Sequence, residues 1–271
     1  MDFSKLLPGI GDWVTSLPKT PPFLYMQDIY APFGALHLVG LGLLGGCVIL
    51  LNLRMLNAGI TTEPTSVVER GLRPWLIVGA VIVLGTGIII GALNSEKLYY
   101  SPAFFSKMIA MVAALIFSFG VTNVVASAEG KTSGTAVIFT VIASLLWIAS
   151  LGVFSFTDGL NPGVFHMIAA GYAILIIAGK HTRWIAAGLF ALIYGGIVIM
   201  YMFVGLDNAD TFPTDMSRYS LIAGSVALAA LLAFEIFKGE EDSPPLTRVI
   251  ALFSILSWVT VAAAGRWIGF S

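Results

Sequence analysis

Two histidines and two cations are the residues of this sequence whose types and spacing could do chemistry inside an apolar chain. His37 and His166 each come a few residues after a proline, and Lys107 and Arg218 each follow a proline at one common spacing. Neutral imidazole is the commonest protein ligand of metals and also ligates haem iron. Lysine and arginine form charge-assisted hydrogen bonds with carboxylates. The four residues therefore predict a haem b or metal site, with the histidines as axial ligands and the cations at the propionates.

Other interpretations of these residues stay open. A buried histidine can bond to a serine or a backbone carbonyl, and a lysine or arginine can snorkel to the membrane interface. Copper is the competing ligand, because the chain also carries soft donors; these are Met108, Met111, Met167, Met216 and Cys47. His181 lies between two cations and is predicted to belong to a connecting loop with no role.

Complete catalytic motifs are absent from the sequence. It has no phosphate-binding glycine loop, no Ser/His/Asp set and no HExxH helix. No acidic residue falls near the middle of an apolar segment, which disfavours a pump or transporter built on a buried carboxylate. Glu235 is followed three residues later by Lys238, a spacing that predicts a pair on the helix surface.

The composition decides the class of protein. Of the 271 residues 58% are hydrophobic and 11% are charged, against about 25% charged in an ordinary soluble domain. The mean hydropathy is +0.92. The net charge of −1 gives no field that would attract nucleic acid. The chain is therefore predicted to be an all-α polytopic membrane protein, since backbone groups in lipid must be satisfied within each span.

Eight segments are long enough to cross the bilayer as helices, which takes about 20 apolar residues. They are 31–53, 74–94, 103–126, 135–156, 162–180, 183–205, 217–237 and 247–270. Residues 1–30 are predicted to form a periplasmic or interfacial amphipathic tail, with a short helix over 11–17. The spacings Gly42–Gly46 and Gly87–Gly91 predict close helix packing.

Lysine and arginine positions predict the orientation, because cytoplasmic loops carry an excess of them. Eight of the 14 fall after odd-numbered spans or on their flanks. These are Arg54, Arg70, Arg73, Lys131, Lys180, Arg183, Lys238 and Arg248. That face is predicted to be cytoplasmic, which puts both termini in the periplasm of a bacterial inner membrane.

The two halves of the chain repeat one pattern, which predicts two tandem four-helix units over 31–156 and 157–271. The repeated order is a proline followed by a histidine, then an arginine followed by a tryptophan, then a proline followed by a serine and a cation. Because each unit has an even number of spans, the copies run parallel about an axis along the membrane normal. The duplication places His37 and His166 at one depth in the outer leaflet, and Lys107 and Arg218 in the same layer.

The first half resembles two bacterial membrane families. The carrying residues are Leu36-His37, the glycine-rich stretch that ends at Gly45-Gly46, and then 53–56. They resemble the opening span of copper-resistance-D-like proteins and of haem-containing membrane protoporphyrinogen oxidases. The closing stretch 265–270 looks most like an uncharacterised inner-membrane family of that superfamily. The resemblance implies a haem-associated histidine at His37 and a matching lysine at Lys107.

The expected function is a haem b- or metal-binding inner-membrane protein. It would transfer electrons or serve as the non-catalytic membrane subunit of a redox complex. The expected partners are the lipid bilayer, a redox protein on the periplasmic side and further copies or subunits, with no nucleic acid. Copper or small-solute transport is one alternative, and a structural subunit without a cofactor is another. A Soret band in the pure protein would distinguish the first function from the other two.

Overall fold

A computed structural model describes residues 8–155, 162–204, 212–238 and 244–269, and these residues are mostly helical. The helices are α1 (Gly11–Ser16), α2 (Tyr30–Met55), α3 (Thr65–Leu93), α4 (Ser95–Tyr100), α5 (Pro102–Leu115), α6 (Asn123–Ser127), α7 (Gly134–Phe154), α8 (Pro162–Ala178), α9 (Arg183–Phe190), α10 (Gly196–Val204), α11 (Phe212–Lys238) and α12 (Pro245–Trp267). A π-helical segment, Ile116–Thr122, joins α5 to α6, and another, Ala191–Gly195, joins α9 to α10.

Seven helical stretches of the described residues are long and apolar enough to cross a membrane. They coincide with seven of the eight predicted spans, and this architecture is that of a polytopic membrane protein. The predicted fifth span is the exception. Its helix α8 has 17 residues, which gives a length of about 26 Å at 1.5 Å per residue.

Helix α3 begins at Thr65, well before the predicted start of the second span at 74. The Arg73-Pro74 pair suggested a boundary, but Pro74 lies inside the helix. The helix begins early because Glu129, from the loop after α6, accepts hydrogen bonds from the amides of Thr65 and Ser66 at 3.1 and 2.9 Å. These are two of the four amides that a helix start leaves without a partner.

The stabilisation that this cap provides depends on pH, because it depends on the charge of Glu129. The Ser66 side chain, followed by the two backbone amides, holds the pKa of Glu129 below its ordinary value. Since the folded-state pKa is depressed, the stabilisation is present above the ordinary pKa and is lost as pH falls through the lowered one.

The second half has a corresponding cap. Glu235, near the end of α11, accepts hydrogen bonds from the amides of His181 and Thr182 at 2.6 and 2.7 Å, just before α9. In each half, therefore, a glutamate at the end of the third span holds the start of the second. The predicted surface pair of Glu235 with Lys238 is wrong for this reason, and the Lys238 ammonium lies 5.1 Å from the centre of the Phe234 ring.

Glycines bring α2 and α3 close together, and the tightest contacts lie at positions other than the predicted ones. A Cβ added to Gly79 would lie 2.8 Å from the backbone nitrogen of Leu44, and one added to Gly40 would lie 2.6 Å from the Ile82 side chain. A Cβ at Gly42 or Gly46 would meet nothing within 4 Å. The positions that allow close approach are therefore Gly40 and Gly79.

Helix α12 occupies the centre of the bundle, where it packs against α2, α5 and α8. Its small polar residues Ser254, Ser257 and Thr260 are fully buried and let neighbouring helices approach. Helix α7, the corresponding fourth span of the first half, instead exposes large residues such as Ile138 and Leu145. The two fourth spans are thus packed differently, although the duplication predicted equivalent places for them.

Two buried threonines provide a matched test of this packing. Thr260 accepts a hydrogen bond from Trp147 Nε1 at 2.9 Å and donates one to the Leu256 carbonyl at 2.9 Å. Thr122 is as deeply buried, but its hydroxyl has no partner among the described residues. We expect Thr260→Val to destabilise the protein by about 1–3 kcal/mol, and Thr122→Val to be neutral or stabilising. Thermal unfolding in detergent measures both, and equal losses would contradict the assignment.

The N-terminal segment lies at the edge of the bundle and packs against it. The short helix predicted over 11–17 is α1, and Ser95 at the start of α4 donates a hydrogen bond to the Val14 carbonyl at 2.6 Å. A Cβ added to Gly11 would lie 3.1 Å from the Tyr99 hydroxyl. Trp13 remains 64% exposed on the outer surface of α1, where an aromatic ring suits a membrane interface.

Candidate functional site

His37 lies two turns into α2, and its ring turns towards α3. Its Nδ1 atom is 2.8 Å from the Thr86 hydroxyl oxygen. The same hydroxyl lies 2.6 Å from the Ile82 carbonyl, which can only accept. Since Thr86 has one proton and gives it to Ile82, its oxygen accepts from His37 Nδ1–H. This assignment leaves the Nε2 lone pair of His37 available for a ligand.

This hydrogen bond fits both a structural role for His37 and a role as a metal ligand. Metal-binding histidines donate the proton of their second ring nitrogen to a fixed acceptor, which sets the tautomer and the ring orientation. The ring also lies beside Gly87, where an added Cβ would be 3.5 Å from His37 Cε1. The missing side chain at Gly87 therefore leaves open the space next to the imidazole.

Lys107, on α5, extends into the bundle instead of towards lipid. A Cβ added to Gly265 of α12 would lie 3.5 Å from both its Cε and its Nζ. Its charge is close enough to act on the His37 ring. Within the described part of the chain, no hydrogen-bond acceptor or carboxylate pairs with its ammonium group. A cation in an apolar environment is costly unless it is paired.

His166 has different surroundings. It is exposed on α8, and its ring meets Trp267 edge to face, with centroids 6.4 Å apart and planes at 71°. No hydrogen bond or ring contact between His166 and His37 is present in the described ranges. Arg218 lies in α11, and its side chain is outside the described residues. His37 and Lys107 thus lie within electrostatic range of each other, while the pairing of the two histidines on one iron stays a prediction.

The soft donors have different surroundings: Met108 is exposed, Met167 is partly buried in the core, and the side chain of Met216 lies outside the described residues. Cys47 is 5% exposed and lies in an apolar cluster with Leu44 and Val48. Met111 packs near Trp258. In the ranges that the structure describes, no group of three or more His, Cys, Asp or Glu could hold a metal ion. A metal at His37 would therefore have to bring most of its own ligands, as the iron of a haem does.

Buried polar residues at the opposite end of the bundle were missed by the sequence reasoning. Glu69 is 3% exposed, and its Oε1 lies 2.8 Å from Arg73 Nε, one helical turn away. Asn52 is 1% exposed and donates hydrogen bonds to the Val48 carbonyl and to Ser254, 202 residues away. The four-residue spacing of Glu69 and Arg73 was the available signal for the ion pair. It was overlooked because the helix was predicted to begin after it.

Comparison with known proteins gives one family. The family model of DUF6644, a family of unknown function, matches residues 24–156 and again residues 130–271. Two matches of similar length along one chain fit an internal repeat. No curated protein and no solved structure matches the chain. The resemblance to copper-resistance-D-like proteins and haem-containing oxidases accordingly stays a prediction.

Proposed function

The chain belongs to the DUF6644 family, a family of unknown function, and we propose that it binds one haem b near the outer ends of its helices and transfers electrons through it. The hydrogen bond between His37 and Thr86 carries this proposal. It holds the imidazole in the tautomer whose Nε2 can ligate iron, on a helix that packs closely against its neighbour.

The residues present fit this group. His37 would hold the iron through Nε2, and the ammonium of Lys107, which has no partner among the described residues, would meet a propionate carboxylate. His166 is the candidate for the second axial position, and Arg218 for the second propionate. When bound, the haem would supply one-electron redox chemistry.

The chain's own residues would orient and insulate the group. Thr86 keeps the proton on His37 Nδ1 and thereby raises the basicity of the opposite nitrogen. His37 and Lys107 are both partly buried, and a lower dielectric would strengthen the interaction of Lys107 with an anion. No residue in this arrangement acts as a nucleophile or a proton donor to a substrate, which favours a membrane subunit of a redox complex over an enzyme.

The visible spectrum of the purified full-length protein, as isolated and after reduction, tests the proposal. We expect a Soret band after expression with sufficient haem. His166→Ala should leave a five-coordinate, high-spin spectrum if His166 is the second ligand. A colourless protein that carries stoichiometric copper would replace this function with copper binding. A colourless protein without metal would leave the solute-transport and structural alternatives, which uptake assays separate.

We further propose that the protein lies in a bacterial inner membrane with both termini in the periplasm, where a redox partner protein would reach the haem. The lysine and arginine distribution supports this orientation.

Glu96 on α4 and Thr132 before α7 are both exposed and lie on opposite faces. A membrane-impermeant thiol reagent added to the periplasmic side should label Glu96→Cys and spare Thr132→Cys. The native Cys47 is buried and serves as the background. The reverse labelling pattern would invert the orientation.

A further inference from the structure

Two deeply buried side chains each carry an oxygen atom that has no hydrogen-bond partner among the residues that the structure describes. They are Asn52 on α2 and Thr122 at the end of the π-helical segment Ile116–Thr122, and each is 1% exposed. Burial of a polar atom without a hydrogen bond is unfavourable, and buried polar atoms in folded proteins usually have a protein or water partner. The two oxygen atoms therefore point to a bound ligand.

The surroundings of Asn52 fix the orientation of its side-chain amide. The Nδ2 atom donates to the Val48 carbonyl at 2.8 Å and to the Ser254 hydroxyl oxygen of α12 at 3.2 Å. Because a carbonyl can only accept, the nitrogen must be the atom that faces Val48, and these two bonds use both of its protons. The other atom, Oδ1, is therefore an acceptor that needs a donor.

The hydroxyl proton of Thr122 is placed differently from those of other threonines buried in the spans. Three of these donate to the carbonyl four residues earlier, at 2.6, 2.7 and 2.9 Å, namely Thr86, Thr140 and Thr260. The carbonyl four residues before Thr122 is that of Ser118, which bonds to the Asn123 amide in the π-helical pattern. The Thr122 hydroxyl makes no bond of this kind, so it has a proton to donate.

The register of α12 brings Ser254 and Thr122 to one level. Trp258 of α12 donates through Nε1 to the Ser118 hydroxyl at 2.9 Å. The start of α5 and the end of α12 share a buried cluster, so these two spans run in opposite directions. One turn from Ser118 to Thr122 and one turn from Trp258 to Ser254 therefore lead towards the same end of the bundle.

Helix α2 reaches the same level. Leu51 and Val121, the residues that precede Asn52 and Thr122, belong to one buried cluster with Ile250 of α12. The hydrogen bond from Asn52 to Ser254 ties the amide to this place. We infer that the two unpartnered oxygen atoms face one small polar site between α2, the π-helical segment and α12.

The two oxygen atoms need opposite partners. Asn52 Oδ1 needs a hydrogen-bond donor, and the Thr122 hydroxyl needs an acceptor. One water molecule supplies both, whereas a metal cation would not accept the Thr122 proton. A cation in an apolar core also needs an opposite charge beside it, and the buried carboxylate of Glu69 is already paired with Arg73. The chemistry of the pair therefore favours water.

We propose that one ordered water molecule is bound at this site, where it donates to Asn52 Oδ1 and accepts from the Thr122 hydroxyl. A buried water has about two to four polar partners and forms part of the structure, and the Ser254 hydroxyl beside the Asn52 amide is a third group within the site. The water links two spans of the first half to α12 of the second. The proposal is independent of haem binding, because His37 lies near the opposite end of α2.

A cryo-electron microscopy map of the full-length protein, at a resolution that shows ordered water, tests the proposal directly. We expect a solvent peak at about 2.5–3.0 Å from both Asn52 Oδ1 and Thr122 Oγ1. A map that shows ordered water elsewhere in the protein but no peak here would overturn the proposal. A peak at roughly 2.4 Å from several oxygen atoms would identify a metal cation in place of water, which would overturn it as well.

Thermal unfolding in detergent provides a second test through the coupling of the two residues. In the wild-type background, Thr122→Val removes a hydrogen bond to the water together with the cost of burying a hydroxyl, so the unfolding temperature should change little. In the Asn52→Leu background the water has lost its acceptor, and the Thr122 hydroxyl is buried without a partner. Thr122→Val should then raise the unfolding temperature by about 2–4 °C.

Thr260→Val is the matched control, because Thr260 is as deeply buried but has its own partners, Trp147 and the Leu256 carbonyl. It should lower the unfolding temperature by the same amount in both backgrounds, since separate sites are additive. If Thr122→Val has one and the same effect in both backgrounds, no water couples it to Asn52 and the proposal is wrong. If Asn52→Leu does not fold, the solvent peak decides.

Discussion

His37→Ala should abolish haem retention. The variant loses the ring nitrogen that we propose as the iron ligand, and Gly87 offers no side chain to replace it. We expect the Soret absorbance per mole of protein to fall to background after purification. His181→Ala provides the matched control, because it removes a histidine at the opposite end of the bundle. Its spectrum should equal that of the wild type, and an unchanged spectrum in His37→Ala would remove His37 as a ligand.

A companion variant separates ligation from general packing. Thr86→Val keeps the shape of the side chain and deletes the acceptor of the His37 Nδ1 proton. Loss of such a supporting partner lowers metal affinity by about 10- to 100-fold. The expected result is therefore weaker haem binding and a shifted reduction potential, with folding preserved. If Thr86→Val binds haem with wild-type affinity and reduction potential, Thr86 does not set the tautomer of His37. This conclusion would hold even if His37 itself is required for haem binding.

Lys107→Met should have opposite effects on ligand binding and on the stability of the haem-free protein. The ammonium has no protein partner within the described part of the chain, so its removal relieves the cost of a poorly solvated charge. We expect the haem-free variant to unfold at a higher temperature than the wild type. Loss of a charged hydrogen bond to a propionate is worth about 1.5–3 kcal/mol, which is roughly a 10- to 150-fold loss of haem affinity.

The control for this variant is Lys97→Met, because Lys97 is an exposed lysine in α4 near the same end of the bundle. It should change neither quantity appreciably. If Lys107→Met lowers the stability of the haem-free protein, the ammonium is already satisfied by the protein. If it leaves haem affinity unchanged, the propionate contact is wrong. Neither result would affect the assignment of His37 as a ligand, which the His37→Ala variant tests separately.

Local sequence determined the class of the protein and the approximate position of its spans. In a membrane, an apolar run of about 20 residues with few charges satisfies its backbone hydrogen-bonding groups by forming a helix. For this reason α2, α7 and α12 begin and end within a few residues of their predicted bounds. The positions of His37 and Lys107 near the starts of their helices were also evident from the sequence. Such a position depends only on the distance of a residue from the nearest helix end.

Only the tertiary structure decided which groups meet. Thr86 is 49 residues from His37, and Glu129 is 64 residues from Thr65, the amide that it caps. No periodicity within one helix encodes such contacts, because they depend on how separate helices rotate and pack against each other. The extended start of α3, the buried Glu69 and the central place of α12 follow from the same cause. They arise where small residues and distant polar partners let one helix approach another closely.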